Sequence, residues 1–127
     1  MIQIDNEKVL LLHQLLVKET GGDPNIRDMN LLDSSVKQIY QTFDGEELYK
    51  SKEEKAARLG WTLISNHAFV DGNKRIGMHM MLTFLEVNGV QVNFTNEEVA
   101  DIGFKIANSQ MTYEELLEEI YKHKSNN

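Results

Sequence analysis

Cysteine is absent from the 127-residue sequence, so disulfide bonds, thiolate metal sites and a cysteine nucleophile are all excluded. Proline occurs once, at Pro24, and no stretch is rich enough in glycine or serine to form a linker. No window approaches the roughly 20 apolar residues that a membrane-spanning helix needs, and the N-terminus lacks the pattern of a signal peptide. We therefore expect a single domain over residues 1–127, in a soluble cytoplasmic protein that binds no membrane.

Basic residues are also scarce. The chain has 13 Lys and Arg against 20 Asp and Glu, which gives a net charge of −7. A protein that binds the nucleic-acid backbone usually presents a basic face. The charge balance therefore argues against nucleic acid as a partner of this chain by itself, although it leaves room for a small local basic site.

Hydrophobic periodicity predicts helices along most of the chain. We place them over residues 6–19, 30–42, 51–66, 73–87 and 95–108, and from 112 onward. Ser51 with Glu54 and Thr112 with Glu115 match the capping box. Residues 43–50 are expected to form a loop, residues 90–94 a lone edge strand at most, and the polar tail from Lys122 to fray. The pattern predicts an all-α fold of about six helices with at most a small hairpin.

The segment from His67 to Arg75 lies between two of these helices and concentrates reactive side chains. The first turn of a helix has unpaired amide groups and a partial positive charge, so it attracts anions. Gly72 allows close approach of a ligand, and the amides of Gly72, Asn73 and Lys74 could form a concave anion site. Lys74 and Arg75 add cationic side chains, and Arg can bind phosphate oxygens bidentately. These residues predict a phosphate-binding site.

Two further side chains of this segment suit phosphoryl chemistry. A carboxylate beside bound phosphates, here Asp71, is a natural Mg²⁺ ligand, and His67 could take a proton from an attacking hydroxyl. Each also has a structural alternative, since His67 could cap the preceding helix and Asp71 the following one. Lys74 could simply be a solvated charge, and so could Arg75. Phe69 is expected to lie in the core in either case.

The segment resembles the signature of the Fic family, which runs His-x-Phe-x-Asp/Glu-Gly-Asn-Gly-Arg-x-x-Arg. Matching positions are His67, Phe69, Asp71, Gly72, Asn73 and Arg75. Lys74 replaces the second glycine and Met78 the last arginine, as in the Doc ("death on curing") branch, whose motif ends in Asn-Lys-Arg. Similar segments follow in the same order along nearly the whole chain, among them Thr20-Gly21-Gly22, Ile26-Arg27-Asp28 and Glu54-Lys55-Ala56-Ala57. The resemblance implies a Fic-like helical bundle in which the motif loop leads into a central helix.

The resemblance also implies a reaction. Fic relatives with the full motif transfer AMP from ATP to a protein hydroxyl. Here Lys74 would crowd the usual diphosphate path, and Met78 removes a phosphate-binding arginine. These departures favour the Doc-like outcome, in which the γ-phosphate of ATP or another NTP moves to a Ser/Thr hydroxyl of elongation factor Tu and translation stops. His67 would be the general base, Asp71 would hold Mg²⁺, and residues 72–75 would bind the phosphates.

Partners follow from the same resemblance. Residues 43–50 lie where Fic proteins have a flap that docks target peptide as an added strand, which makes Leu48 and Tyr49 candidates for substrate contact. A structural role for Tyr49 is equally compatible. The self-inhibitory motif of many Fic proteins, Ser/Thr-x-x-x-Glu-Gly/Asn, is not found in the sequence. The resemblance therefore implies a toxin that a separate antitoxin protein inhibits in trans.

Three alternatives stay open at the level of the sequence. The chain could be a Fic-type AMP transferase, a catalytically idle Fic-like binding module, or a helical domain whose loop merely caps two helices. The other histidines have no partner at metal-ligand spacing, so we interpret His13, His79 and His123 as surface or packing residues.

Overall fold

The computed structural model describes residues 1–125, which form six α-helices and one small hairpin. The helices, in chain order, are α1 (Asn6–Thr20), α2 (Met29–Lys37), α3 (Lys52–Asn66), α4 (Asn73–Val87), α5 (Asn96–Ala107) and α6 (Tyr113–Lys122). A 3₁₀ turn (Gln38–Tyr40) continues α2, and β1 (Thr42–Phe43) pairs antiparallel with β2 (Glu46–Glu47). The prediction of an all-α fold with about six helices and a small flap is confirmed.

Local side-chain caps explain where most helices begin. The predicted capping boxes at Ser51 and Thr112 are both present, and Thr95 with Glu98 forms a third. Asp5 and Asp28 cap α1 and α2 by accepting from the amide three residues on. Each cap satisfies amide groups that a helix start leaves unpaired, which is why the predicted starts agree with the observed ones to within about a residue.

The hairpin corrects the predicted course of residues 38–50. The second helix ends at Lys37 instead of near residue 42, because the chain tightens into the 3₁₀ turn and then extends from Gln41. Asp44 and Gly45 have φ values of 54° and 81°. Positive φ at both central residues matches the twist of a two-residue hairpin, for which Asp-Gly is a preferred pair. Residues 43–50 are therefore partly a hairpin and not an open loop.

The crossing of α3 and α4 forms the centre of the molecule and holds the ends of the segment between them. A Cβ placed on Gly77 would lie 2.5 Å from the Ile64 side chain and 2.8 Å from the carbonyl oxygen of Gly60. A Cβ on Gly60 would lie 3.0 Å from the Met81 side chain. The two backbones thus approach more closely than larger residues allow, and this contact fixes how α3 packs on α4.

The C-terminal segment pairs with residues 91–93. The Asn93 amide donates to the His123 carbonyl at 2.8 Å, and the Ser125 amide donates to the Gln91 carbonyl at 2.9 Å. The predicted edge strand is thereby reduced to a single bridge between Val92 and Lys124, and the prediction of a frayed tail is wrong as far as residue 125. The same prediction for residues 126–127 lies outside the described part of the chain. Within that part, no helix has the length and apolar character to cross a membrane.

Candidate functional site

The loop that joins α3 to α4 begins at His67, whose backbone is left-handed with φ 48° and ψ 53°. Arg27 fixes this point from outside. Its Nε donates to the His67 carbonyl at 2.5 Å and its Nη2 to the Asn66 carbonyl at 2.8 Å. Carbonyl groups at the end of a helix have no partner inside it, so the guanidinium completes α3. The His67 side chain stays exposed.

A short antiparallel pairing supports the middle of the loop. The amides of Arg27 and Asp28 both donate to the Ala68 carbonyl, at 2.8 and 3.0 Å, and the Val70 amide donates to the Asn25 carbonyl at 3.1 Å. Ile26 and Phe69 face each other in this bridge, and Phe69 is buried in the core as predicted. The loop backbone is therefore paired on one side along residues 68–70.

The Asn73 side chain closes the loop from its other end. Its Oδ1 accepts from the Phe69 amide at 3.1 Å, and its Nδ2 donates to the Phe69 carbonyl at 2.9 Å. The carboxamide of Asn73 is thus used within the loop. Its main-chain amide belongs to the first turn of α4, the part that the sequence predicts to bind phosphate.

His13 on α1 is the residue of this site that sequence analysis missed. The side chain is 1% exposed, and its ring stacks on Phe69 with centroids 3.6 Å apart. Nε2 lies 2.7 Å from the Asp71 carbonyl oxygen. Because a carbonyl can only accept, Nε2 carries the proton. His13 is a packing residue, as expected, but it packs on the motif loop from 58 positions away, and no local pattern signals that.

The exposed side chains of the motif loop are the ones that suit the predicted chemistry. His67, Asp71 and Lys74 are exposed, and Gly72, Asn73 and Arg75 are half-buried. The Lys74 side chain makes no hydrogen bond or ion pair within residues 1–125, whereas the Arg75 side chain donates to the Thr20 hydroxyl. Of the sequence-predicted residues, Asp71 to Arg75 therefore lie at the start of α4, and His67 lies at the end of α3.

Asp71 does not cap α4, so the structural alternative for this residue is wrong. The N-cap is Gly72, with φ 79° and no side-chain cap. One Asp71 oxygen, Oδ1, accepts from the Gly72 amide at 3.1 Å, and the other, Oδ2, accepts from the Asp23 amide at 3.4 Å. The described residues contain no group of three or more His, Asp or Glu side chains arranged to hold a metal. An exposed carboxylate at a phosphate-attracting helix start still fits Mg²⁺, which typically takes one or two carboxylates with phosphate oxygens.

Position 78 faces inward. Met78 is 1% exposed and its Cγ lies 3.5 Å from where a Cβ on Gly103 of α5 would be. Together with Lys74, Arg75 and Phe104 it lines a groove of about 370 Å³ between α4 and α5. The groove adjoins the first turn of α4 and is cationic at that end only.

The predicted flap residues are anchored on the first half of α3. Leu48 is 49% exposed, and its amide donates to the Gln41 carbonyl at 3.0 Å. Tyr49 is half-buried, and its carbonyl accepts from the fully buried Lys55 Nζ at 2.5 Å. Lys55 also pairs with Glu47 at 3.1 Å. Within the described residues no hydrogen bond joins Leu48 or Tyr49 to the motif loop.

A tyrosine of α6 completes this anchor. The Tyr49 ring meets Tyr113 edge-on, with centroids 5.9 Å apart. Burial raises the pKa of Tyr113 to about 12, so this phenol stays neutral. Arg58 lies over both rings, at 5.1 Å from Tyr49 and 4.2 Å from Tyr113. These contacts support a structural role for Tyr49.

Comparison with known proteins gives a consistent picture. The model of the Fic/DOC family matches residues 3–85, which include the whole motif loop and most of α4. "Toxin Doc" of Mycolicibacterium smegmatis is 37% identical over 106 residues, or 82% of this chain and 79% of that protein. "Protein kinase doc" of Escherichia phage P1 is 30% identical over 112 residues, or 88% of this chain and 87% of that protein.

Proposed function

The chain belongs to the Fic/DOC family, and we propose that it is the toxin of a toxin–antitoxin pair and acts as a Doc-like protein kinase. It transfers the γ-phosphate of ATP or another NTP to a Ser/Thr hydroxyl of a translation factor, elongation factor Tu by resemblance, and so halts translation. The names of the two relatives, one a toxin and one a protein kinase, support this class of activity.

The observation that carries the proposal is the way the motif loop is held. Arg27, Asn25, Asn73 and His13 all bond to its main chain. The side chains of residues 71 and 74 are left exposed at the start of α4, and that of residue 67 at the end of α3. A loop held through its main chain, with its reactive side chains exposed, suits positioning catalysis, because phosphoryl transfer depends mainly on geometry and charge stabilisation.

The roles of the residues follow from their chemistry. His67 takes the proton of the substrate hydroxyl as its oxygen attacks the γ-phosphorus. The bond from the γ-phosphorus to the bridging oxygen breaks, and the nucleoside diphosphate leaves with the electron pair. The amides of residues 72–74 and the cationic side chains of Lys74 and Arg75 stabilise the phosphoryl oxygens. Asp71 would hold Mg²⁺, which neutralises charge on the phosphates when bound.

Two positions favour γ-phosphate transfer over AMP transfer. The motif of AMP transferases has a second arginine where Met78 stands, and Met78 is buried and apolar, so this position supplies no cation to a diphosphate. Lys74 instead projects an exposed charge from the first turn of α4. That charge suits a terminal phosphate at the helix start.

Silencing by a separate antitoxin is part of the proposal. The sequence has no self-inhibitory motif of the kind that many Fic proteins carry, and the reactive side chains of the loop are exposed. We therefore expect a second protein to cover them, with a disordered segment that folds on binding. Expression with and without the neighbouring reading frame tests this, since the lone chain should arrest growth and the pair should not.

The test of the reaction uses purified protein, Mg²⁺, elongation factor Tu and ATP labelled separately at the α and γ phosphates. We expect label from γ only, lost in His67→Ala and kept in Ser109→Ala. Ser109 is a matched control because it is also exposed and left-handed, with φ 58°. Label from α would replace the proposal by AMP transfer. Absence of label, with toxicity retained by His67→Ala in cells, would indicate an idle binding module.

A further inference from the structure

The turn that follows α1 touches the motif loop at three points. We define the α1 turn as residues 20–23. The Thr20 hydroxyl accepts from Arg75 and itself donates to the Leu16 carbonyl at 3.0 Å. The Asp23 amide donates to Asp71 Oδ2 at 3.4 Å. The contact to Asp71 spans 48 positions of the chain and the contact to Arg75 spans 55. A separate element of the fold therefore supports both a carboxylate and a cation of the loop.

Gly22 makes the third contact through its lack of a side chain. A Cβ at this position would lie 2.7 Å from Asp71 Oδ2 and 3.3 Å from its Cγ. Gly22 is outside the left-handed region, unlike its neighbour Gly21, which has φ 78°. A Cβ on Gly21 would meet nothing within 4 Å. Glycine is therefore needed at the two positions for different reasons. Gly21 permits the backbone conformation, and Gly22 leaves space for the Asp71 carboxylate.

We propose that two residues of the α1 turn are positioning residues of the active site: the missing side chain of Gly22 sets the orientation of the Asp71 carboxylate, and Thr20 sets that of Arg75. The inference rests on the proposed function, because it assigns these two loop residues to metal and phosphate. The colliding atom is the end of a short side chain. A methyl group at position 22 would therefore turn the carboxylate and leave the fold in place.

A substitution of Gly22 should therefore change metal binding without changing the stability of the fold. Groups that orient a metal ligand typically change metal affinity by 10–100-fold when they are altered. Gly22→Ala should therefore weaken binding of the divalent cation by about tenfold or more, with the midpoint of thermal unfolding within about 2 °C of wild type. Gly21→Ala should do the opposite, because alanine is strained at positive φ. It should lower the unfolding midpoint by several degrees and leave cation binding unchanged.

The measurement uses Mn²⁺ as a paramagnetic probe of the Mg²⁺ site. Binding of Mn²⁺ to the full chain, with a non-hydrolysable ATP analogue present, is followed by electron paramagnetic resonance for wild type, Gly22→Ala and Gly21→Ala. Thermal unfolding of the same samples is recorded by circular dichroism. Equal Mn²⁺ affinity in wild type and Gly22→Ala would overturn the inference. So would a loss of stability in Gly22→Ala as large as in Gly21→Ala, since that indicates a purely structural glycine.

Substitutions of Thr20 test the second part of the proposal independently, because one removes the hydroxyl and another restores it. Thr20→Val removes the hydroxyl at nearly constant shape, and Thr20→Ser restores it. We expect Thr20→Val to raise the KM for ATP by about three- to tenfold, the size of one typical hydrogen bond, and Thr20→Ser to return it to the wild-type value. A KM that does not respond to the hydroxyl would overturn the role of Thr20.

The outcomes distinguish the inference from the proposed function. If wild type binds Mn²⁺ and transfers γ-phosphate but Gly22→Ala does both equally well, the inference alone fails. If Gly22→Ala weakens Mn²⁺ binding while wild type transfers no label from γ, the kinase assignment fails and the positioning role stands. If wild type binds no Mn²⁺ with the nucleotide analogue, the metal role of Asp71 fails and the positioning of its carboxylate for metal fails with it.

Discussion

Replacement of His67 by glycine should make the protein more stable and inactive at the same time. His67 ends α3 in the left-handed region, and its exposed side chain makes no hydrogen bond or ion pair within residues 1–125. Left-handed backbone costs an L-residue about 1–2 kcal/mol, which glycine avoids. Against this, glycine loses more entropy on folding, roughly 0.5–1 kcal/mol relative to alanine. The balance predicts a gain of about 0.5–1 kcal/mol in the free energy of unfolding.

Two matched variants isolate the cause of this gain. His67→Ala removes the imidazole but keeps the positive φ, so its free energy of unfolding should stay close to that of wild type. Ser109→Gly relieves the same backbone conformation after α5, where φ is 58°, and should gain as much stability as His67→Gly. Because Ser109 lies outside the motif loop, it should keep full activity.

The assay combines thermal unfolding with the rate of γ-phosphate transfer. For a chain of this length the expected gain corresponds to a rise of about 2–5 °C in the unfolding midpoint. Both His67 variants should lose at least about 100-fold in rate, the lower range of general-base catalysis. Equal unfolding midpoints for His67→Gly and His67→Ala would refute the backbone argument. Retention of transfer by His67→Gly would refute its role as the base.

Three further predictions concern contacts at the C-terminal segment, the flap and the end of α3. The hydrogen bond that His123 donates to the Glu98 carboxylate raises the pKa of His123 above its ordinary value. That contribution is present below about pH 6.5 and is lost as pH rises through the folded pKa. Between pH 6 and 8.5, urea unfolding should therefore show the advantage of wild type over His123→Gln shrinking, and a constant difference would contradict this. Lys55→Met removes the buried donor to the Tyr49 carbonyl, so hydrogen exchange should rise at residues 46–49 while the free energy of unfolding falls by no more than about 2 kcal/mol; unchanged exchange would show that the flap is held elsewhere. Arg27→Met leaves two carbonyls at the end of α3 unpaired and should cost about 1 kcal/mol in urea unfolding, whereas no loss would mean that water replaces the guanidinium.

The features that the sequence predicted correctly are those determined by neighbouring residues. Helix starts follow from caps such as Ser51 and Thr112, whose partners lie three positions away. The grouping of Asp71, Lys74 and Arg75 at the start of α4 follows from their adjacency in the chain. The hairpin at Asp44-Gly45 is also local. The sequence allowed a small hairpin but predicted a loop over residues 43–50, because an Asp-Gly pair between very short strands has no alternating pattern beside it.

The supports of the candidate site could not be predicted in this way. Arg27 reaches His67 across 40 positions, and His13 reaches Asp71 across 58. Neither pairing leaves a periodic or compositional signal, because each depends on how α1 and the segment before α2 pack against the loop. Gly22 is a similar case. A glycine before Asp-Pro predicts a turn, and only the structure reveals that its missing side chain leaves room for a carboxylate.

The arrangement of these supports suggests where the choice of reaction is made. Every hydrogen bond from outside the loop to residues 67–70 is to the main chain, and the Phe69 side chain packs in the core against His13. The shape of the loop therefore depends little on its exposed side chains. The same main-chain supports could then serve AMP transfer or γ-phosphate transfer equally well, and the choice between the two reactions would depend on Lys74 and Met78. Lys74 is exposed and could be exchanged freely, but Met78 is packed against α5 near Gly103. An arginine at position 78 would avoid burying its charge only by extending into the groove between α4 and α5 that Met78 lines. On the proposed function, the packing of α5 on α4 therefore bears on the choice of reaction as well as the motif loop does.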